Sequence, residues 1–301
     1  MHTGLGVIHV VHLTHAVRAV RAIRGVAWAA SAAGVTASRA AARARGRPRR
    51  LTHRERRLVF VVGSPRSGTT FVGNALGSQP GFVDLGEVPM LKAAVPGLVG
   101  RPVEKQAQAV RRLVELVRNL GLVHGLRGVE QNPETSYVLG GALRAYPAGT
   151  AVHVIRDGRD VVCSLLERGW LNAGRTGTDD ANQAYGTYAR FWVEPERRRE
   201  FEEASETTRA AWAWRCYVTA ARAAPERTID VRYEALVTDP EGEAQRLAAA
   251  LGVDDAGPLA AAFREAHPNS IGRWRRELSP EQLAEVEAEA GALLAELGYG
   301  E

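Results

Sequence analysis

A glycine-containing loop after an apolar segment near residue 60 has the residue types of an anion site. Residues 59–62 are apolar and mostly β-branched, and residues 63–68 read Gly-Ser-Pro-Arg-Ser-Gly. This pattern is typical of a buried strand that ends in a tight turn. Residues 69–76 can then form a helix whose free backbone N–H groups point back at the loop. The positive end of a helix dipole at such a place favours a phosphate or a similar anion.

The spacing inside the loop resembles the phosphate-binding loop of nucleoside triphosphatases, with one departure. Gly63, Gly68 and Thr70 match that motif, but Thr69 stands where its lysine belongs, and the cation of the loop is Arg66. ATP and GTP hydrolysis depend on that lysine and on magnesium to manage the γ-phosphate charge. We therefore expect a phosphate-bearing donor other than a triphosphate.

A second candidate anion site lies about ninety residues further on. Arg156 follows a β-branched segment, and Ser164 comes eight residues later in a helical pattern. Both side chains can reach one oxyanion at the carboxyl end of a parallel sheet. An alternative is that Arg156 pairs with Asp160 and that Ser164 is simply buried.

Glu87 is a candidate catalytic carboxylate, because it follows a short apolar segment and would lie at the sheet edge where α/β enzymes keep their catalytic groups. The alternative is that it caps the following helix. His124 and His153 are further candidate bases, although the mid-strand position of His153 favours a core role. The aromatic residues that can line an acceptor pocket, or simply pack, are Trp170, Tyr185, Tyr188, Phe191 and Trp192.

An α/β fold would bring these candidate site residues together at one edge of a sheet. Strand patterns over residues 59–62, 150–155 and 228–232, with a shorter one over 82–85, alternate with helical patterns such as 103–120. The strand–turn–helix unit occurs twice, which predicts a central parallel sheet with helices on both faces. We predict two regions: an N-terminal extension and linker over residues 1–57, and a catalytic domain over 58–301.

Charge separates the same two regions. Residues 1–57 contain twelve arginines and one acid, about +11, whereas the remainder has 27 basic and 33 acidic residues, about −6. The acidic body argues against nucleic acid as a partner. Within residues 1–40, the pattern from His9 to Val26 predicts a basic amphipathic helix, interrupted too often by arginine to span a membrane. Three alternatives remain open for it: contact with a membrane surface or an anionic partner, packing on the body or on a second subunit, and a poorly ordered tail.

The number and spacing of the cysteines indicate the cellular compartment and whether they could bind a metal ion. The two cysteines, Cys163 and Cys216, form no disulfide framework and no metal-ligand spacing. We expect both to be buried, and we expect a cytoplasmic protein, with peripheral membrane contact as an alternative.

Four motifs in order resemble the sulfotransferases that use 3′-phosphoadenosine 5′-phosphosulfate (PAPS). Residues 65–70 look like the 5′-phosphosulfate loop, and Arg156 with Ser164 is similar to the 3′-phosphate site. Residues 231–236 and 272–275 are similar to later motifs. The resemblance covers residues 58–300. It implies a P-loop-like three-layer fold, a PAPS donor without a metal, and a small-molecule or glycan acceptor with a hydroxyl or amine.

The resemblance also implies individual roles. Glu87, as the general base, and Arg66 would be catalytic, and the donor would be bound by Pro65, Arg66, Ser67, Gly68, Thr69, Thr70, Arg156, Ser164 and Arg273. Related enzymes have a lysine where this chain has Gln131, which leaves open whether a second cation assists the reaction. Two alternatives remain: a P-loop kinase of small molecules, and a non-catalytic nucleotide-binding protein of the same fold.

Overall fold

The computed structural model describes residues 58–120, 126–171 and 192–300. Within these ranges five parallel strands form one sheet in the order β2-β3-β1-β4-β5. The strands are β1 (Leu58–Gly63), β2 (Phe82–Gly86), β3 (Arg127–Glu130), β4 (Thr150–Ile155) and β5 (Thr228–Arg232). From β1 the chain continues to β2 and β3 on one side of β1, and from β3 it crosses to β4 and β5 on the other side, so the strand order reverses at β1. Ligands of open α/β sheets bind at such a place.

Helices cover both faces of the sheet. In the described residues they are α1 (Thr69–Gly77), α2 (Pro89–Leu98), α3 (Val103–Leu120), α4 (Leu139–Ala145), α5 (Gly158–Arg168), α6 (Arg198–Glu203), α7 (Glu206–Ala221), α8 (Tyr233–Thr238), α9 (Pro240–Leu251), α10 (Gly257–Phe263), α11 (Trp274–Glu277) and α12 (Pro280–Glu296). Short 3₁₀ turns lie at Pro133–Val138, Pro195–Arg197, Pro225–Arg227 and Pro268–Ser270.

The alternating side chains of β1 divide the core into two apolar layers. Leu58, Phe60 and Val62 pack into the layer beneath α3 and α4. Val59 and Val61 pack into the opposite layer with α1, α9 and α10. Both faces are buried because β1 is the central strand, which explains its continuous apolar sequence. The predicted three-layer α/β fold with a parallel sheet is confirmed.

The structure differs from the local sequence pattern between residues 127 and 146. The polar residues 130–135 predict a turn that opens one helix continuing to Tyr146. Instead β3 ends at Glu130, the 3₁₀ turn Pro133–Val138 follows, and α4 begins at Leu139. The sequence pattern hid β3 because it has only four residues, Arg-Gly-Val-Glu, of which one is a β-branched apolar residue. The N-terminal extension lies outside the described residues, as does His124.

The expected burial of both cysteines is confirmed. Both cysteines are buried free thiols, and burial raises the pKa of each thiol to about 12. Ser279 and Gln282 form the capping box at the start of α12. No helix in the described ranges is long and apolar enough to cross a membrane.

Candidate active site

The loop between β1 and α1 has the backbone of an anion cradle. Arg66 has φ of 70°, in the left-handed region, and Gly68 has φ of 97°. The Ser67 N–H donates to the Ser64 carbonyl at 3.2 Å, which closes the turn. Gly68 precedes the first residue of α1 with no side-chain cap. The free N–H groups of the first helical turn therefore face the loop.

Two glycines of this loop are required by close contacts. A Cβ at Gly63 would collide with the carbonyl oxygen of Val154 on β4, and a Cβ at Gly68 would lie 2.7 Å from the Tyr233 ring. Tyr233 begins α8, at the end of β5, and its ring also lies 5.2 Å beneath the Arg156 guanidinium. Tyr233 therefore packs against both predicted anion sites.

The structure brings together the two motifs that lie ninety residues apart in the sequence. Arg66 Nε donates to Ser164 Oγ at 3.0 Å. Arg156 Nη1 donates to the Arg66 carbonyl at 3.1 Å, and its Nη2 donates to the carbonyl of Ser270. β1 and β4 are neighbouring strands, so their carboxyl ends place these residues side by side. The hydrogen bonds of Arg156 thus go to backbone carbonyls and not, as in the alternative above, to Asp160.

Asp160 instead holds a C-terminal loop against α5. Its fully buried carboxylate accepts from the Gly272 N–H at 2.7 Å and from the Trp274 N–H at 3.1 Å. Burial raises the pKa of Asp160, and these two hydrogen bonds oppose the shift. The loop from Pro268 to Trp274 therefore lies directly over the Arg156 end of the site.

Arg273, predicted to bind the nucleotide, lies on this same loop but is directed at carboxylates. Its Nη2 is 2.6 Å from Glu277 and 3.1 Å from Glu167 on α5. The side chain is 20% exposed. The structure brings Arg273 near the helix that carries Ser164, where its guanidinium pairs with Glu167 and Glu277.

Glu87 follows β2 and pairs with a lysine that the sequence reasoning missed. Lys92 Nζ lies 2.8 Å from Glu87 Oε2 and 3.8 Å from Glu134 Oε1. The side chains are 36% exposed for Glu87, 9% for Lys92 and 2% for Glu134. The N-cap of α2 is Val88 and has no side-chain hydrogen bond, so Glu87 does not serve as a helix cap.

Glu130 is a buried carboxyl at the end of β3. Its Oε1 accepts from the Asn132 N–H and its Oε2 from the Thr135 hydroxyl, each at 3.0 Å. Burial raises its pKa to about 8, and the charges of Glu134 and Glu87 add to this shift. Burial therefore favours the protonated form of the Glu130 carboxyl.

Gln131 is the residue at which the family resemblance predicted a neutral side chain in place of a lysine. Its side chain fills the space beside Gly73 of α1, where a Cβ would lie 2.5 Å from Gln131 Oε1. The side chain is 4% exposed, and no residue in the described ranges donates a hydrogen bond to its Oε1. Gln131 therefore packs against α1 and supplies no charge.

The remaining candidates fall into two groups. Trp170 lies 5.8 Å from the Arg66 guanidinium, whereas Trp192 packs in an apolar cluster with Phe201 and Tyr217. His153 is fully buried in β4 and its Nδ1 pairs with Asp230 at 3.2 Å, which is a core role. The candidates that lie outside the described residues are Tyr185, Tyr188 and Phe191.

Sequence reasoning missed Lys92 and Glu134, and it did not predict that Tyr233 packs against the site. Lys92 carried a usable signal, since the chain has only two lysines and one of them lies five residues after Glu87. Glu134 and Tyr233 meet the site through long-range packing, for which spacing gives no signal. No cluster of three His, Cys, Asp or Glu side chains in the described ranges can hold a metal ion.

Comparison with known proteins identifies the class. The model of a sulfotransferase family matches residues 59–257, which include the glycine loop, Glu87, Arg156 and Ser164. The chain belongs to this sulfotransferase family.

Two similar proteins illustrate the relationship. A Caenorhabditis briggsae protein named "Putative protein-tyrosine sulfotransferase" is 26% identical over 200 residues, 63% of each chain. The chain thus spans less than two thirds of that relative. The sulfotransferase domain from the curacin biosynthetic pathway shares the fold, with a TM-score of 0.50 and 16% identity, over 81% of this chain and 98% of that domain.

Proposed function

We propose that this protein transfers a sulfuryl group from PAPS to a hydroxyl or amine of a small-molecule or glycan acceptor, without a metal. The observation that carries the proposal is the meeting of Arg66, Arg156 and Ser164 at the carboxyl edge of the sheet. PAPS bears anionic groups at its 5′ and 3′ ends, so it requires two neighbouring anion sites. The glycine loop and the Arg156–Ser164 element supply them.

The residues present fit such a donor. Ser67 is fully buried in the loop, yet its Oγ has no hydrogen-bond partner in the described part of the chain. Arg156 is 6% exposed, and its Nε likewise has none there. A buried polar atom without a partner is costly, and such atoms in native structures often face a ligand. The loop residues Pro65, Arg66, Ser67, Gly68, Thr69 and Thr70 would hold the 5′-phosphosulfate.

Arg156 and Ser164 would hold the 3′-phosphate. For this, the Ser164 hydroxyl donates its O–H to the anion while its oxygen can still accept from Arg66 Nε. Arg66 lies in the same loop as Ser67, at the 5′ end of the donor site. Arg273 would reach the nucleotide only by leaving Glu277 and Glu167, so its role is conditional on movement of that loop.

The donor supplies an activated sulfuryl group whose transfer leaves adenosine 3′,5′-bisphosphate. The chain has three tasks in this transfer. The backbone N–H groups of the loop and Arg66 stabilise the negative charge that grows toward the phosphate. Glu87 accepts the proton of the attacking hydroxyl or amine, because the carboxylate is at the same sheet edge and 36% exposed. The apolar layers beneath the sheet edge hold both groups in place.

The acceptor is the open part of this proposal. The C. briggsae relative is named for tyrosine, so phenolic hydroxyls belong in the first screen beside sugars and other small molecules. We also propose a cytoplasmic location, with residues 1–40 as the region for contact with a membrane surface or a second subunit. Nucleic acid is not among the proposed partners, because the body outside residues 1–57 is acidic.

The proposal is tested by incubating the protein with PAPS and a panel of phenols, sugars and amines. Products are read by mass spectrometry as the addition of one sulfuryl group. We expect product with the wild type and a loss of about 100-fold or more with Glu87→Gln. Glu265→Gln is the matched control, because Glu265 is an exposed carboxylate on the surface. Equal rates for wild type and Glu87→Gln would contradict the role of Glu87.

A further inference from the structure

Lys92 is unusual in this chain because nearly every other cation is an arginine. The chain contains 39 basic residues of the Lys and Arg types, and only Lys92 and Lys105 are lysines. Lys105 is exposed on α3. Lys92 is 9% exposed on α2, with its ammonium between the carboxylates of Glu87 and Glu134. A buried ammonium is stable only when carboxylates or other acceptors surround it.

Glu134, the second carboxylate beside Lys92, is fixed relative to the sheet. Glu134 lies in the 3₁₀ turn Pro133–Val138 with a 2% exposed side chain. It hydrogen bonds with the buried Tyr217, whose pKa burial raises well above its usual value. In the same turn, Ser136 Oγ accepts from the Gly63 N–H at 3.2 Å. Glu134 is therefore fixed relative to the end of β1, where the glycine loop begins.

The backbone on both sides of Glu87 is fixed as well. The Gln131 N–H donates to the Gly86 carbonyl at 3.3 Å, and Asn132 Nδ2 donates to the Val88 carbonyl at 3.1 Å. These bonds leave the side-chain torsions of Glu87 as its main freedom. The ammonium of Lys92, held from behind by Glu134, restricts those torsions.

We propose that Lys92 is a positioning residue that holds Glu87 as an oriented, ionised base. The inference rests on the proposed function and extends it. Lys92 contacts Glu87 Oε2, and no residue in the described ranges forms a hydrogen bond with Oε1. The proton of the acceptor goes to Oε1 as the acceptor atom bonds to sulfur and the sulfur–oxygen bond to the donor phosphate breaks. Lys92 keeps its own proton throughout.

The choice of lysine over arginine follows from this role. A guanidinium binds a carboxylate through two parallel N–H groups and so engages both oxygens. An ammonium is a point donor and can hold one oxygen while the other stays available. We therefore expect Lys92→Arg to keep the positive charge but to lower the transfer rate, because the arginine fork competes for Oε1.

The first test observes the ion pair directly and needs no acceptor. Protein labelled with lysine carrying ¹⁵N at Nζ gives signals from only two ammonium groups, and Lys105→Met assigns them. We expect Glu87→Gln and Glu134→Gln each to shift the Lys92 signal and to leave the Lys105 signal unchanged. Glu265→Gln is the control and should shift neither. A Lys92 signal that is identical in wild type and Glu87→Gln would overturn the proposal.

The second test asks whether Lys92 acts through Glu87. Transfer to water, measured as adenosine 3′,5′-bisphosphate formed from PAPS, is compared in wild type, Lys92→Met, Glu87→Gln and the double variant. We expect Lys92→Met to lower the rate about tenfold or more in the wild-type background and to change it little in the Glu87→Gln background. Equal losses in both backgrounds would mean that Lys92 acts on the sulfuryl group itself and would overturn the positioning role.

The two claims fail in different ways. If the wild-type protein binds no adenosine 3′,5′-bisphosphate, the proposed function is contradicted. The Lys92–Glu87 contact is then still tested by the ¹⁵N ammonium spectrum. Normal binding and transfer together with an unshifted Lys92 signal contradict only the role of Lys92. Each variant is first checked for bisphosphate binding, which separates a lost ion pair from a lost fold.

Discussion

Replacing Glu130 with glutamine should remove a pH dependence of stability that arises beside the active site. In the folded state this carboxyl keeps its proton up to about pH 8, whereas an ordinary glutamate releases it near 4.5. Between these values the folded protein binds more protons than the unfolded chain. Stability from this group is therefore fully present below about pH 4.5 and is lost as the pH rises through 8.

The magnitude follows from the shift. Each pH unit inside the window corresponds to about 1.4 kcal/mol, so about 4 kcal/mol accumulates between pH 5 and pH 8.5. In Glu130→Gln the amide oxygen can still accept from the Asn132 N–H, and the amide NH₂ can donate to the Thr135 hydroxyl oxygen. The variant thus resembles the protonated wild type and lacks the titration.

Urea unfolding followed by tryptophan fluorescence measures this effect at a series of pH values. We expect the free energy of unfolding of Glu130→Gln, relative to wild type, to rise by about 4 kcal/mol from pH 5 to pH 8.5. The control is Glu265→Gln, an exposed carboxylate, which should parallel the wild type. Parallel curves for wild type and Glu130→Gln would refute the buried, protonated state of Glu130.

Three further predictions follow from contacts around the loop. In the urea assay, Gly63→Ala should lower the free energy of unfolding by at least about 3 kcal/mol, because φ is 139° and the new Cβ meets the Val154 carbonyl. Gly81→Ala is the matched control, with φ of 81° but open space around the new Cβ, and it should cost only about 1 to 2 kcal/mol. Ser164→Ala should weaken adenosine 3′,5′-bisphosphate binding about 10- to 100-fold in calorimetry, because a hydrogen bond to an anion is lost. Asp160→Ala should release the Gly272 and Trp274 N–H groups, and trypsin should then cut this loop about tenfold faster.

Each of these has a clear contrary result. Equal stabilities of the two glycine variants would contradict the close approach of Gly63 on β1 to the Val154 carbonyl on β4. Unchanged bisphosphate affinity in Ser164→Ala would remove this serine from the donor site. An unchanged cleavage rate in Asp160→Ala would show that other contacts hold the loop.

The sequence predicted the parts of this molecule that depend on local pattern. β1 and β4 are central strands with β-branched runs, and each is followed directly by its glycine or arginine turn, so periodicity was sufficient. The family resemblance pointed to the same turns. β3 was not predicted, because it is only four residues long. The boundary error in the following helix came from the same segment.

The site was predicted as two separate anion sites, and the structure joins them. Spacing along the chain cannot show that Arg66 Nε meets Ser164 Oγ across two neighbouring strands. The same limit applies to the Lys92 contact with Glu134, since these residues are brought together only by the packing of α2 on the 3₁₀ turn. Arg273 was predicted from a motif, but its direction depends on Glu167 and Glu277, whose approach no motif encodes.

The most direct test of the central claim is calorimetric titration with adenosine 3′,5′-bisphosphate in the presence of EDTA. The account predicts one binding site per chain, with an affinity that added magnesium leaves unchanged and that Arg156→Ala weakens strongly. Magnesium-ATP in the same experiment should bind much more weakly. Absence of binding by the bisphosphate, or tight binding of ATP that requires magnesium, would contradict a PAPS-dependent sulfotransferase.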